Sequence, residues 1–333
     1  MLFDFFGRAA LADIYTVGGK FEARGPLAGS IDLLCRDTSL GMESWEEAES
    51  ALQTAALAGL KARNFQAPPQ ILVGGDLENQ CTATTFGAAS SGLPMLGLYG
   101  ACSTFALGLL TAGMICASSQ AQRVGVVASS HYCAAERQFR FPLEYGNQTT
   151  PTSQHTVTGA AAALVTAQAE GMDKIVLGRG YVGRVVDYGV KDPANMGAAM
   201  APAAADTLKG YFSASATSPE DYDLILTGDL GKTGSRLLQQ LLAEQSGLAQ
   251  VHRDGGVLIF DAQKQHLQSG GSGCACSALA LGAYAIPLMR QGLVKRMLLV
   301  GTGALMSPVT SMQGKAIPCV AHAIELKRRD LLC

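Results

Sequence analysis

Charge is scarce in this chain, and the scarcity excludes several classes of protein. Charged residues are 16% of the 333 residues and hydrophobic residues are 48%, whereas the usual charged share is about 25%. This composition excludes general disorder, because a disordered chain has too few apolar residues to form a core. The 25 Lys and Arg against 27 Asp and Glu also lack the basic excess of a nucleic-acid-binding domain.

Long apolar runs and paired cysteine motifs are missing as well. No stretch reaches the roughly 20 apolar residues of a membrane-spanning helix, and Asp4 and Arg8 interrupt the apolar start where a signal peptide would be uncharged. The nine cysteines are an odd, scattered set and do not suggest a disulfide framework. Cys274 and Cys276 form a C-x-C pair with no second pair at metal-finger spacing, so we expect neither a metal nor a cofactor.

An internal repeat is the main feature that the chain does contain. Segment 71–77, ILVGGDL, is matched by segment 224–230, LILTGDL; each is an apolar strand followed by Gly-Asp, and we expect the aspartates to cap helices. Further matches follow in the same order: 101–109 with 275–283, 122–128 with 295–301, and 158–166 with 321–327. We therefore predict two halves, 1–170 and 171–333, that form one continuous globule.

Each half follows the same predicted plan of an outer helix, an apolar strand, a buried helix and further strands. The first outer helix is predicted at 44–63, where Ser44 and Glu47 form a capping box. Short apolar strands between helices are typical of a sheet that is covered on both faces. The helices predicted at 105–116 and 278–285 carry almost no charge, so we place them between two sheets. The predicted fold is therefore a five-layered αβαβα arrangement of the α/β class.

The duplicated plan, with Cys102 at the start of the buried first-half helix, resembles the thiolase and ketoacyl synthase superfamily. Longer phrases are more specific: GACST at 100–104, ASSHYCAAERQFRFPLEYG at 128–146, MGAAMAPAAADTL at 196–208, DYDLILTGDL at 221–230 and GGSGCACSA at 270–278. These phrases resemble the stage V sporulation protein AD family from about residue 25 to about residue 325. The resemblance implies a thiolase-like fold and non-catalytic binding of dipicolinic acid, which is pyridine-2,6-dicarboxylate.

The same resemblance implies partners and a location. Members of that family work with membrane proteins of the same sporulation operon, which move dipicolinate into the developing spore and out of it at germination. The protein would be soluble and would reach the spore inner membrane through these partners. Whether the ligand is free dipicolinate or its calcium chelate stays open, and so does a homodimer, since superfamily enzymes pair through a first-half strand.

Cys102 stands where superfamily enzymes carry the acyl-accepting nucleophile, and a helix N-terminus favours the thiolate. Its usual helpers are missing, because Asp229 stands where a His normally follows the second-half strand. Ser272 lies roughly where Asn is usual, in the Gly-rich turn before Cys274. Cys319 matches the second Cys of thiolases, but their partner His is absent. We therefore expect binding, and the alternatives are a condensing enzyme that uses Cys102 and a vestigial pocket.

The most charged predicted loop, 131–145, follows a predicted Val-rich strand. Ligands of doubly wound folds lie at the carboxyl ends of strands, and Arg binds carboxylates in a bidentate manner. We therefore expect Arg137 or Arg140 to hold a dipicolinate carboxylate. Alternatively, both arginines pair with Glu136 and Glu144 on a surface, and Glu144 is a further candidate for contact with calcium. The expected ligand-binding residues are Cys102, His131, Arg137, Arg140, Asp229, Ser272, Cys274 and Cys319.

Overall fold

The computed structural model describes residues 1–140, 148–167 and 175–329. Its strands are β1 (Leu2–Asp4), β2 (Ala9–Gly18), β3 (Leu33–Leu34), β4 (Ile71–Gly75), β5 (Met95–Gly97), β6 (Arg123–Ser130), β7 (Gln154–Thr156), β8 (Gly159–Ala167), β9 (Ile175–Val182), β10 (Leu224–Thr227), β11 (His252–Asp254), β12 (Gly270–Ser272), β13 (Arg296–Ala304) and β14 (Cys319–Arg328). Its α-helices are α1 (Trp45–Arg63), α2 (Thr82–Ser91), α3 (Thr104–Ala117), α4 (Tyr132–Phe139), α5 (Met196–Ser215), α6 (Gly231–Leu241), α7 (Leu248–Val251), α8 (Gly255–Leu258), α9 (Cys274–Ala280), α10 (Ile286–Gln291) and α11 (Pro308–Met312).

The two halves of the chain build two matching parts of the sheet. The strand order is β5-β4-β6-β8-β2 in the first part and β11-β10-β13-β14-β9 in the second. In both parts the first three strands run parallel and the last two are antiparallel to their neighbours. The repeated sequence segments fall on equivalent elements, as the duplication predicts. The boundary between residues 170 and 171 stays a prediction, because residues 168–174 lie outside the described ranges.

A central helical layer separates the two parts of the sheet. The helix α3 packs against β4, β6 and β8 on one side and against β13 and β14 on the other. Because both sides are covered, its side chains must be apolar, and Phe105, Leu109 and Leu110 are fully buried. The helices α1 and α5 cover the two outer faces. The predicted five-layered αβαβα order is confirmed.

The second buried helix differs from its prediction. Instead of one helix over 278–285, the chain forms α9, a π-helical turn at Leu281–Ala285, and then α10. Pro287 has no N–H to donate to the preceding turn, and a wider turn is one way to accommodate that missing hydrogen bond. Gly282 lies close to β2, where an added Cβ would be 2.5 Å from Thr16 Cγ2. Among the described residues, no helix is both long and apolar enough to cross a membrane.

The predicted capping box at the start of α1 is present and can be tested. Glu47 N donates to Ser44 Oγ at 3.2 Å, and Ser44 N donates to Glu47 Oε2 at 3.1 Å. Ser44→Ala is expected to lower the free energy of unfolding by about 0.5–2 kcal/mol, measured by urea denaturation. Ser44→Asp keeps a capping oxygen and should stay within about 0.5 kcal/mol of the parent. Equal losses in both variants would contradict the capping role.

Candidate ligand-binding site

A strained turn between β5 and α3 positions the side chain of Cys102. Ala101 has a φ of 48°, in the left-handed region that residues with a Cβ rarely adopt. Ser103 donates to Gly100 O from its N at 3.1 Å and from its Oγ at 2.6 Å. Thr104 Oγ1 donates to Ala101 O at 2.6 Å. These bonds hold the backbone in the strained conformation, which is a common feature of functional sites.

Cys102 lines a partly enclosed pocket to which both halves contribute. The pocket contains about 530 Å³ of empty space, part of which is open to solvent. Its lining residues are Leu77, Tyr99, Ala101, Cys102, Ala135, Glu136, Phe139, Arg140, Thr156, Pro193, Met196, Ser272, Ala304 and Met306. The charged members of this set are Glu136 and Arg140. Apolar walls with few polar groups are typical of a small-molecule site.

Asp229 lies behind Ser272 and organises the polar end of the pocket. Its Oδ2 accepts hydrogen bonds from Ser272 Oγ at 3.1 Å and from Gly273 N at 3.0 Å. Its Oδ1 accepts a hydrogen bond from Thr302 Oγ1 at 2.7 Å. The Ser272 Oγ in turn lies 3.8 Å from the Cys102 Sγ. Asp229 therefore fixes Ser272 against the thiol without lining the pocket itself.

The two Gly-Asp aspartates have different roles, so the prediction that both cap helices is wrong for the second. Asp76 Oδ2 accepts hydrogen bonds from Thr84 N and Thr84 Oγ1 in α2, at 2.7 and 2.6 Å. In the second half it is Asp254 that accepts from Leu230 N and Gly231 N at the start of α6, both at 2.9 Å. Asp229 is therefore free to bind the turn beside the pocket.

The environment of Cys102 keeps its side chain as a neutral thiol. Burial, and next the charge of Asp229, raises the pKa of the Cys102 thiol well above its usual range. The helix α3 begins two residues after Cys102, at Thr104, and burial opposes the thiolate that a helix N-terminus would favour. Burial also raises the pKa of Asp229. Among the described residues that line the pocket, none is a histidine that could serve as the usual base.

Arg140 supplies the positive charge among the described lining residues. Its Nε lies 2.8 Å from Glu136 Oε2, and its Nη2 donates to Gln154 O at 3.0 Å. Both side chains are largely buried, at 21% exposed for Arg140 and 11% for Glu136. Burial raises the pKa of Glu136 to about 7, and the charge of Arg140 partly opposes this rise.

Two other predicted residues of this segment lie elsewhere. Arg137 is exposed and pairs with Glu46 of α1, so its charge faces away from the lining. His131 is fully buried and caps α4, where its Nδ1 accepts from Cys133 N at 3.2 Å. The Nε2 of His131 lies 2.9 Å from Thr38 O, so this nitrogen carries the proton. With both ring nitrogens occupied, His131 holds the helix in place.

The two remaining predicted cysteines are also outside the lining. Cys274 Sγ donates to Ala101 O at 3.0 Å and so supports the strained turn from behind. Cys319 is buried at the start of β14, where it pairs with Ala304 of β13. The pocket therefore brings together three of the predicted residues, with a fourth behind them: Cys102, Arg140, Ser272 and Asp229. Glu144 lies outside the described residues.

The apolar walls of the pocket and the position of Glu136 beside Arg140 were not predicted from the sequence. The wall residues include Tyr99, Phe139, Met196 and Met306. Two of them lie in the long phrases that carry the family resemblance, 128–146 and 196–208. Those phrases indicated a family, but one sequence alone does not indicate which of their side chains face a common cavity.

The molecule has a thiolase-like α/β fold. It is similar to 3-oxoacyl-[acyl-carrier-protein] synthase III from Aquifex aeolicus VF5, with a TM-score of 0.57 and 13% identity, covering 96% of this chain and 99% of that chain. An OleA variant from Xanthomonas campestris has a TM-score of 0.62 and 14% identity, covering 98% of each chain. At these identities the likeness concerns the fold alone.

The sequence identifies the family among proteins of this fold. The profile of the family described as Stage V sporulation protein AD (SpoVAD) matches residues 3–327. The chain belongs to this family of sporulation proteins. Stage V sporulation protein AD of Bacillus subtilis (strain 168) is 38% identical over 316 residues, which cover 94% of this chain and 92% of that protein.

Proposed function

We propose that this chain binds dipicolinic acid in the pocket beside Cys102 and does not catalyse a reaction on it. Arg140 offers a guanidinium for one ligand carboxylate, and such pairs form strong, charge-assisted hydrogen bonds. Tyr99, Phe139 and Met196 offer apolar surface for a planar ring. Together with membrane proteins of the same operon, the chain would serve dipicolinate uptake into the spore and release at germination.

The observation that carries the non-catalytic part is the hydrogen-bonded set of Asp229, Ser272 and Cys102. A condensing enzyme needs a base that takes the proton of its Cys and favours the thiolate. In this chain the neighbouring group is a carboxyl, and its negative charge disfavours the thiolate. The arrangement supports a pocket that has kept the scaffold of an enzyme without its activation machinery.

A titration of the full chain with dipicolinate, with and without calcium, tests the binding. We expect saturable binding of one ligand per chain, measured by isothermal titration calorimetry. Pyridine-2-carboxylate lacks the second carboxylate and is the matched control, for which we expect weaker binding. If dipicolinate does not saturate the protein under either condition, the proposal is wrong and the pocket is better described as vestigial.

Incubation with an acyl-CoA is expected to leave Cys102 unmodified, because a thiol that stays protonated is a poor nucleophile. Mass spectrometry of the intact protein and of its peptides measures this directly, with a ketoacyl synthase as the positive control. Cys102→Ser should bind dipicolinate within roughly threefold of the parent, a difference of about 0.7 kcal/mol. An acyl adduct on Cys102, or condensation lost in Cys102→Ala, would favour the condensing-enzyme alternative.

A further inference from the structure

The charges that line the pocket are balanced before a ligand enters. Glu136 and Arg140 are four residues apart at the end of α4, and the Glu136 Oε2 and Arg140 Nε are in ionic contact. The described contacts of Arg140 involve two of the five N–H groups of its guanidinium. Arg140 therefore has donors left for a ligand carboxylate, but its charge is already compensated by Glu136.

Glu136 is poorly accommodated as a carboxylate. The residue is buried, and although its Oε2 lies 2.8 Å from Arg140 Nε, that ion pair does not have the geometry of a hydrogen bond and no other described residue donates to this oxygen. A buried charge without hydrogen bonds is costly, and protonation removes that cost. The raised pKa of Glu136, about 7, agrees with this geometry.

Several ionisable groups near α4 are neutral at physiological pH. Burial raises the pKa of Tyr132 and Cys133 on α4 itself. It also raises the pKa of Tyr99 and Cys102 across the pocket. His155 of β7 is neutral as well, because burial lowers its pKa to about 4. None of these five groups offsets a second negative charge in the pocket.

The charged groups near α4 are paired or acidic. Arg137 is paired with Glu46 of α1. Asp229 lies behind Ser272, and Glu78 lines a second cavity that shares Tyr99 and Phe139 with the pocket. Burial raises the pKa of the carboxyl groups of Glu49 on α1, Asp76 after β4 and Glu78, and the charge of Asp76 adds to the rise for Glu49 and Glu78. A carboxylate that approaches Arg140 thus meets no further positive charge among the described residues that line the pocket.

We propose that a carboxylate ligand binds this pocket together with one proton. The ligand replaces Glu136 as the ionic partner of Arg140, and Glu136 takes up the proton. The inference rests on the proposed function, because it describes how the same pocket admits dipicolinate. The proton comes from solvent, the ligand carboxylate replaces the Glu136 carboxylate beside the guanidinium, and Glu136 ends as a neutral carboxylic acid. The affinity of the pocket for its anionic ligand therefore depends on pH.

The direction of the pH dependence follows from this proton uptake. Binding that takes up a proton weakens as pH rises above the titration range of Glu136 in the free protein and levels off below it. Ligand carboxyls are ionised throughout this range. We expect the association constant of the parent protein to fall by up to about tenfold per pH unit between about pH 7.5 and pH 9. Glu136→Gln cannot take up the proton, so its affinity should be nearly constant over this range and exceed that of the parent at pH 9 by about tenfold or more.

Calorimetry of dipicolinate binding in two buffers with different heats of ionisation counts the protons directly. Near pH 8 we expect about one proton taken up per ligand by the parent and none by Glu136→Gln. Glu46→Gln removes a half-buried carboxylate that pairs with Arg137 of the same helix and is outside the pocket lining, and it should behave as the parent. The proton count in the unmodified protein does not depend on how well any variant folds.

The possible outcomes separate this inference from the proposed function. If dipicolinate binds the parent without proton uptake, or if Glu136→Gln shows the parent's pH dependence, the proton coupling is wrong and the binding function stands. If neither protein binds dipicolinate between about pH 6 and pH 9, both proposals are wrong. If calcium restores tight binding near pH 9 in the parent but has no effect in Glu136→Gln, Glu136 accepts a cation in place of the proton, which also overturns the coupling.

Discussion

Replacing Arg140 with alanine is expected to weaken dipicolinate binding by about 30-fold or more. Arg140 is the cation among the described lining residues, and its side chain is largely buried. Without it, a ligand carboxylate loses a charge-assisted bond and keeps its cost of desolvation, together about 2–5 kcal/mol. Calorimetry near pH 6.5 measures the effect where Glu136 is mostly protonated.

Arg137→Ala is the matched control for this substitution. Arg137 has the same side chain, lies three residues earlier in α4, is 53% exposed and pairs with Glu46. We expect its removal to change the affinity by no more than about twofold, as for an exposed ion pair. If both variants lose affinity equally, net charge rather than the pocket governs binding. An Arg140→Ala variant that binds like the parent would place the ligand outside this pocket.

Phe105→Ala is expected to lower the free energy of unfolding by about 3–5 kcal/mol. Phe105 is fully buried at the start of α3, in the layer between the two parts of the sheet. The substitution leaves a cavity, and the strands of the two neighbouring layers cannot easily move closer to each other to fill it. Urea denaturation of the purified variant measures the loss.

Phe86→Ala provides the comparison, since Phe86 lies on α2 and is 67% exposed. Truncation of this surface side chain should change the free energy of unfolding by no more than about 0.5 kcal/mol. If Phe105→Ala is as mild as Phe86→Ala, then α3 is not a central, fully covered layer.

The layer order could be predicted from the sequence because two separate features of the sequence agree. The repeated segments fix which elements are equivalent, and the lack of charge in 105–116 requires cover on both sides of that helix. The break after Ala280 could not be predicted in the same way. It depends on Pro287 and on the close approach of Gly282 to Thr16, and this contact joins distant parts of the chain.

The candidate site was predictable where a residue occupies a position that the superfamily resemblance marks, as for Cys102 and Ser272. The segment after β6 was less predictable, because it forms the helix α4 rather than a loop. That helix ends at Phe139, and Arg140 is extended, with φ −113° and ψ 114°. The regular spacing of side chains along a helix therefore does not predict where the Arg140 side chain points relative to that of Arg137. This explains why the sequence left the choice between these two arginines open.

The unequal roles of the paired aspartates bear on how such a chain can diverge after an internal duplication. In the first copy, a change at Asp76 removes hydrogen bonds from the start of α2 and lowers the stability of the protein. In the second copy, Asp254 already satisfies the N–H groups at the start of α6. Residue 229 can therefore change without loss of the hydrogen bonds at the start of α6. Selection can alter the chemistry beside the pocket through one repeat while the other keeps its original architecture.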